Sequence, residues 1–444
     1  MVAAVAAIGA LLLSVAIMVT GNGLQTTLIT IRANIEGFDA AHIGLLVSSY
    51  YAGFAVGCLT NPYLVARVGH IRTFAALAAL AAATALIYPM VVEAWVWWLL
   101  RALAGFAFAG LYTVVESWLN DRASNRNRGA LFSVYRVVEL SASTAGLLLL
   151  NAAAPEGFEL FSIASLLIAL CLVPVAVTRA VAPAPVAAAR LRPGRLYRAS
   201  PLGVIGIFMV ALANSAYWGL TPVFVQRLGH GVAEVSLVMA ALLVGGAVAQ
   251  YPIGWLSDRF DRRTVVIAVA ALAAVGGAAM AAVAQMGSVP ALLTVAVLFG
   301  ALTMPLYALL IAHTNDFLEP GEFVQASGGL LLVYGIGAVI GPMLASWVMQ
   351  DRPAWLLFAY TAAVHVLLVL FGLWRSTRRP PPPPEEQGRF TPTPPLTTPQ
   401  VFELDPRAEA AARDDDAVVP PVAEAPPAEV AGGRGDDGSP QPRP

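Results

Sequence analysis

The sequence predicts an all-α membrane protein: twelve transmembrane helices in two pseudo-symmetric six-helix bundles. Of 444 residues, 58% are hydrophobic and only 12% are charged, about half the charged share of an ordinary soluble domain. Mean hydropathy is +0.72. Twelve apolar runs reach the ~20 residues that a helix needs to cross ~30 Å of hydrocarbon, and a basic linker divides them six and six.

The expected spans lie at about 5–30, 41–66, 73–95, 97–119, 130–151, 157–178, 201–226, 233–256, 264–286, 290–313, 325–348 and 353–375. The first lacks a basic start and a convincing small-x-small cleavage site, so it reads as a retained helix and not a removable leader. All 26 cationic side chains are arginine. Those in short loops cluster on one side: Arg67, Arg72, Arg122, Arg126, Arg128, the linker group from Arg179 to Arg198, Arg259, Arg262, Arg263, Arg375, Arg378 and Arg379. The opposite loops hold Arg32, Arg227 and Arg352. Positive charge stays inside, so both termini are expected on the cytoplasmic side of the membrane that the chain crosses.

The resulting organisation is a bundle at 1–178, a basic cytoplasmic linker at 179–200, a second bundle at 201–379 and a tail at 380–444. The net charge of −1 conceals a split, with 21 Arg against 15 acids up to residue 379 and 5 against 12 beyond it. The Pro-rich acidic tail lacks the apolar residues to bury a core, so it is expected to be disordered and dispensable. Shifting Ala41–Arg72 by 192 onto Ala233–Thr264 superposes Ile43 on Val235, Leu45 on Leu237, Gly53 on Gly245 and Arg67 on Arg259. Two copies of one unit with a site between them is the plan of an alternating-access transporter.

The repeat isolates a charged knot, Gly254–Thr264, "GWLSDRFDRRT". Gly254-x-x-x-Asp258-Arg259-x-x-Arg262-Arg263 resembles motif A of the major facilitator superfamily, with Asp261 where that family usually has glycine. Arg101-Ala-Leu-Ala-Gly105 resembles the core of its motif B, and Val114–Gly129, "VVESWLNDRASNRNRG", resembles the YcaD-type bacterial branch. The first-half copy of the knot, "NPYLVARVGHIRT", is weaker, with Pro62 and Ala66 in place of glycine and aspartate. The resemblance implies the major facilitator fold. The knot reads as a conformational latch, with Asp258 held at the start of the fifth helix near Gly129 and its arginines at the water boundary; a simple topogenic cluster is the other reading.

Four charges fall inside spans and more than two residues from either end, and at the bilayer centre each would cost ~2.5–3.5 kcal/mol or more. Arg101 and Glu116 share a stripe of the fourth helix with Gly105, Phe108 and Tyr112, and Arg136 and Glu139 share a face of the fifth. Glu116 and Arg136 are expected at similar depth and could pair; Glu139 is better placed to carry a coupling proton. The resemblance implies a substrate cavity on the first, fourth, seventh and tenth helices. Polar and aromatic residues there are Asn22, Gln25, Thr26, Tyr112, Asn214, Tyr217, Trp218, Thr303 and Tyr307.

Other signals imply packing. Cys58 and Cys171 lie in apolar runs, the string Gly335–Pro342 has no preceding strand, and His313 and His365 are isolated, so no metal or cofactor is expected. The chain reads as a secondary transporter, not an enzyme, that acts as a monomer on a small organic solute, with no nucleic-acid partner. Proton-coupled efflux is the leading expectation, proton-coupled uptake the alternative, and a receptor or scaffold without flux the reading from another class.

Overall fold

A computed structural model describes residues 9–123, 128–177, 193–318, 323–378 and, in the tail, 387, 388, 390–393, 398 and 399. The expectations for residues 179–192 and for most of the tail fall outside the described residues. Twelve described helices are long and apolar enough to cross a membrane. They are α1 (Gly9–Ile35), α2 (Ala40–Val68), α3 (His70–Ile87), α4 (Ala94–Arg122), α5 (Arg128–Leu149) and α6 (Glu159–Val177, interrupted at Cys171) in the first half. The second half holds α7 (Pro201–Arg227), α8 (Val232–Ser257), α9 (Arg262–Val283), α10 (Val289–Asn315), α11 (Phe323–Met349) and α12 (Leu356–Ser376), preceded by a short linker helix at Pro193–Ala199.

Local chemistry sets the boundaries. Asp39, Ser200, Asp261 and Ser288 each accept a backbone N–H from the first turn of the helix that follows, satisfying donors that a helix start leaves open. Gly37 at φ 80° turns the chain after α1, which runs five residues past its expected end. The third span ends at Ile87 and not near 95, because Pro89 cannot donate the next helical hydrogen bond and the chain turns at Tyr88–Met90.

The two halves repeat a glycine seam. A Cβ at Gly53 of α2 would collide with the Ala102 carbonyl of α4, and one at Gly105 with the Tyr50 carbonyl. In the second half Gly245 of α8 lies on the Val297 carbonyl of α10, and Gly300 on that of Leu242. Small residues that let backbones touch are how helices associate where lipid removes the hydrophobic drive.

The ends of the bundle differ. At the end opposite the arginine-rich loops the halves touch directly: Asn151 donates to Ser236 at 2.9 Å, and Gly44 of α2 lies against Pro342 and Ser346 of α11. At the arginine-rich end, tail residues lie between the halves. Thr398 donates through its amide (3.0 Å) and its hydroxyl to Glu116 of α4, while the Phe390 amide donates to Asp258 at 2.8 Å beyond α8. Thr393 and Thr398 are buried. These tail residues lie against the bundle because their backbone amides find carboxylates, the buried Glu116 and the more exposed Asp258.

Candidate substrate cavity and its charged surround

A cavity of about 200 Å³ lies between the halves. Its charged wall comes from α4 and α5. Arg101 is 3% exposed; its guanidinium sits 4.3 Å above the Tyr50 ring, and its Nη1 is buried with no hydrogen-bond partner among the described residues. A cation over an aromatic face is worth about 2 kcal/mol when desolvated, well short of replacing the lost hydration of a guanidinium. One turn of α5 carries both Arg136 and Glu139, and Arg136 Nη1 donates to the Glu139 carboxylate. The wall thus holds two guanidiniums and one carboxylate.

The neutral wall is amphipathic. Asn22 and Thr26 of α1, linked by a 3.4 Å hydrogen bond, and Ser143 of α5 offer polar contacts from the first half. Tyr50, Tyr51 and Tyr112 supply ring faces on the same side, and Asn214, Trp218, Met239 and Met304 close the second-half wall. Of the expected cavity residues, Asn22, Thr26, Tyr112, Asn214 and Trp218 are there.

Four others are not. Gln25 lies roughly 140° around α1 from the centre of the lining stripe, at ~100° per residue, and is wholly buried. Tyr217 turns back into its own half, where Thr303 donates to its hydroxyl at 3.2 Å and Phe299 meets its ring edge-on at 5.2 Å. Tyr307 packs on Tyr334 at 5.0 Å. These residues are core, because α7 and α10 are enclosed by neighbours and apolar on all sides, so polarity alone does not mark their cavity face.

The expected Glu116–Arg136 pair is also corrected. Arg136 takes Glu139, which is a turn away on its own helix. Glu116 lies nearer the arginine-rich end, 3.5 Å from the Tyr135 hydroxyl and bonded to Thr398.

The charged knot is more buried than its sequence implies. Arg262 donates to both oxygens of Asp316 at 2.6 Å and to Asp258 at 3.0 Å. Arg262 and Arg263 are 1% and 5% exposed, against the expectation that the arginines stay at the water boundary, where only Arg259 is exposed; for Arg262, Asp316 at the end of α10 supplies the buried counter-charge. Arg259 stacks on Trp255 at 3.9 Å. Among the described residues Asp258 binds Arg262 and the tail amide and not the start of α5, and no described atom lies within 4 Å of a Cβ built on Gly129. Asp261, the departure from motif A, caps α9 by accepting from the Arg263 and Thr264 amides.

Ser143 shares the face of α5 that the sequence assigned to Arg136 and Glu139, while sequence reasoning missed Tyr50, Tyr51, Met239, Met304 and Asp316. The polar-aromatic run Ser48–Phe54, "SSYYAGF", inside the second span was the available signal. No short motif marks Asp316, whose partner lies 54 residues away.

The Major Facilitator Superfamily matches residues 11–232 and 203–412. The MFS-type transporter YcaD of Salmonella typhimurium is 29% identical over 374 residues, covering 84% of this chain and 95% of that protein. YcaD of Salmonella heidelberg is 29% identical over 380 residues with the same coverage. Among solved structures, the nucleoside transporter NupG aligns with a TM-score of 0.68 at 14% identity, over 84% of this chain and 99% of that one. A bacterial homolog to the human lysosomal transporter Spinster, in an inward-facing and occupied conformation, aligns at 0.65 and 15%, over 86% and 98%.

Proposed function

The chain belongs to the major facilitator superfamily and is a multi-pass membrane transporter, not an enzyme; from that premise we propose that it carries a small organic anion together with a proton, by alternating access. The observation that carries the reading is the charge set of the cavity wall: Arg101, whose Nη1 has no hydrogen-bond partner among the described residues, beside an Arg136–Glu139 pair. A buried donor of this kind is costly to leave unmade and repays an anionic ligand. The rings of Tyr50, Tyr112 and Trp218 suit an apolar or aromatic body, and Asn22, Thr26, Ser143 and Asn214 suit its hydroxyl or amine groups.

The same charges bear on coupling. With Glu139 ionised, one of the two guanidiniums is neutralised within the wall. A proton on Glu139 releases Arg136, so the cavity then holds two cationic donors and one anion is bound more tightly. Proton and anion favour each other, which is the condition for moving them in the same direction. This favours proton-coupled uptake over the efflux expected from the sequence, since exchange requires the two to compete. The arginine-rich end, by the positive-inside rule, faces the cytoplasm, and one chain supplies both walls of the cavity, so a monomer suffices.

The test uses purified protein in liposomes, a panel of small aromatic and aliphatic carboxylates and phosphates with their neutral amides or alcohols, and an internal pH dye. Anions are expected to stabilise the protein in a thermal-shift screen and to acidify the lumen as they enter down an imposed pH gradient, while the neutral analogues do neither. Arg101→Gln should abolish the preference for anions. Glu139→Gln should keep anion binding, now independent of pH, and lose gradient-driven accumulation. Lumenal alkalinisation on substrate entry would assign exchange instead.

A further inference from the structure

The arginine-rich mouth of the transporter is itself an occupied binding site. Three acidic side chains from different helices or their ends, Glu116, Asp258 and Asp316, each accept a backbone N–H from the tail: Thr398 at 3.0 Å, Phe390 at 2.8 Å and Gly388 at 3.1 Å. Arg262 donates in return to the Gly388 carbonyl at 2.6 Å. The Phe390 ring fills the notch that Gly254 leaves in α8, where a Cβ would strike it.

From this geometry we infer that the mouth is a peptide-binding site for the chain's own tail, and that the tail, when docked, plugs the arginine-rich entrance to the substrate cavity. The recognised chemistry is a peptide backbone presenting unpaired N–H groups, with one aromatic side chain seated over Gly254 and one threonine hydroxyl on Glu116. Charge-assisted hydrogen bonds of this kind are about twice as strong as neutral ones, and here five of them converge on three tail residues, Gly388, Phe390 and Thr398. The contacts span both halves: Glu116 belongs to the first, and Asp258, Arg262 and Asp316 belong to the second. A docked tail therefore holds the halves at one spacing as well as filling the space between them. Residues of the motif A resemblance, Gly254, Asp258 and Arg262, are engaged by the tail, so release of the plug and movement of the knot are one event.

The sequence alone predicts that truncation after Arg379 changes nothing; the docked tail predicts a faster-opening mouth. Neither outcome requires knowing the substrate or the direction of transport. Ser143→Cys on the cavity wall serves as reporter in a full-length chain whose Cys58 and Cys171 are replaced by alanine, reconstituted in nanodiscs and treated with a membrane-impermeant maleimide. Alkylation is expected to rise about tenfold with Phe390→Asp, about threefold with Thr398→Ala, and about tenfold with a stop after Arg379. Equal rates across the four chains would overturn the plug. Hydrogen exchange of the Phe390 and Thr398 amides gives a second readout: slowed at least tenfold in the wild-type tail and restored to the free-peptide rate by Phe390→Asp. Free-peptide rates in the wild-type chain would overturn docking itself. Should Phe390→Asp fail to yield folded protein, the truncated chain carries the alkylation comparison unaided.

Discussion

Arg262 donates through one nitrogen to both carboxylate oxygens of Asp316 at 2.6 Å, and each side chain is only 1% exposed. This pair ties the start of α9 to the end of α10 and places the centre of the charged knot inside protein. Removing one member of a buried pair costs ~3–5 kcal/mol, because the survivor keeps its charge without its partner. Arg262→Gln is expected to lower the melting temperature and membrane yield, and Arg262→Gln/Asp316→Asn to recover part of both. An unchanged melting temperature in the single variant would place the pair in water.

The split between cavity and core among the aromatic residues is testable by transport. Trp218→Ala, on the cavity wall, should raise KM at least tenfold. Tyr217→Phe should lose about 1 kcal/mol of stability with its hydrogen bond to Thr303 while KM stays within about twofold. Tyr307→Phe removes a buried hydroxyl that has no partner among the described residues, so stability should be unchanged or slightly higher. Melting curves and initial-rate kinetics on the three variants separate the roles.

The glycine seams predict a matched pair of failures. Valine at Gly53 or at Gly245 would press on a backbone carbonyl, which cannot rotate away as a side chain can. Overpacking of this sort costs ~1–3 kcal/mol and sometimes more. Both variants should lose monodisperse protein in detergent, whereas valine at Gly9, where no described atom lies within 4 Å, should not.

Asp39 offers a pH test outside the spans. Its carboxyl is held below the ordinary 3.8, chiefly by the hydrogen bond from the His42 amide at the start of α2. A depressed carboxyl stabilises the fold above the unfolded value, and that contribution is lost as pH falls through the folded one. Asp39→Ala should cost about 1 kcal/mol as a lost helix cap. Asp39→Asn should keep the cap and remove its acid sensitivity, read as melting temperature between pH 3 and pH 6.

The spans, the six-and-six division and the repeat were legible because hydrophobic length and a 192-residue register are properties of the chain itself. Arg101 and Glu139 were legible for the same reason, since charge in a span is conspicuous. Which way a residue faces was legible only where a helix has a polar stripe. On α1 the stripe separated Asn22 and Thr26 from the rest only in three dimensions, leaving Gln25 miscast. On α7 and α10 Tyr217 and Tyr307 are as polar as Trp218, yet they point into the core. Asp316 as the partner of Arg262, and the partners of the tail, were illegible because each lies across a long stretch of chain and neither contact carries a local pattern. Composition speaks only to whether the tail can build its own core, and could not report that the amides of Gly388, Phe390 and Thr398 find carboxylates elsewhere.

The glycine seam also sets an order of assembly. Gly53 meets the carbonyl of Ala102, a residue of α4, so α2 enters the membrane two helices before the surface that fits it. Until α4 follows, that notch faces lipid or the insertion machinery. Gly245 waits in the same way for Val297 of α10. Each seam closes within its own six helices, and neither needs the other half. A nascent chain halted in the linker should already carry a packed first bundle, while one halted before α4 should remain a loose set of spans, exposed to membrane quality control.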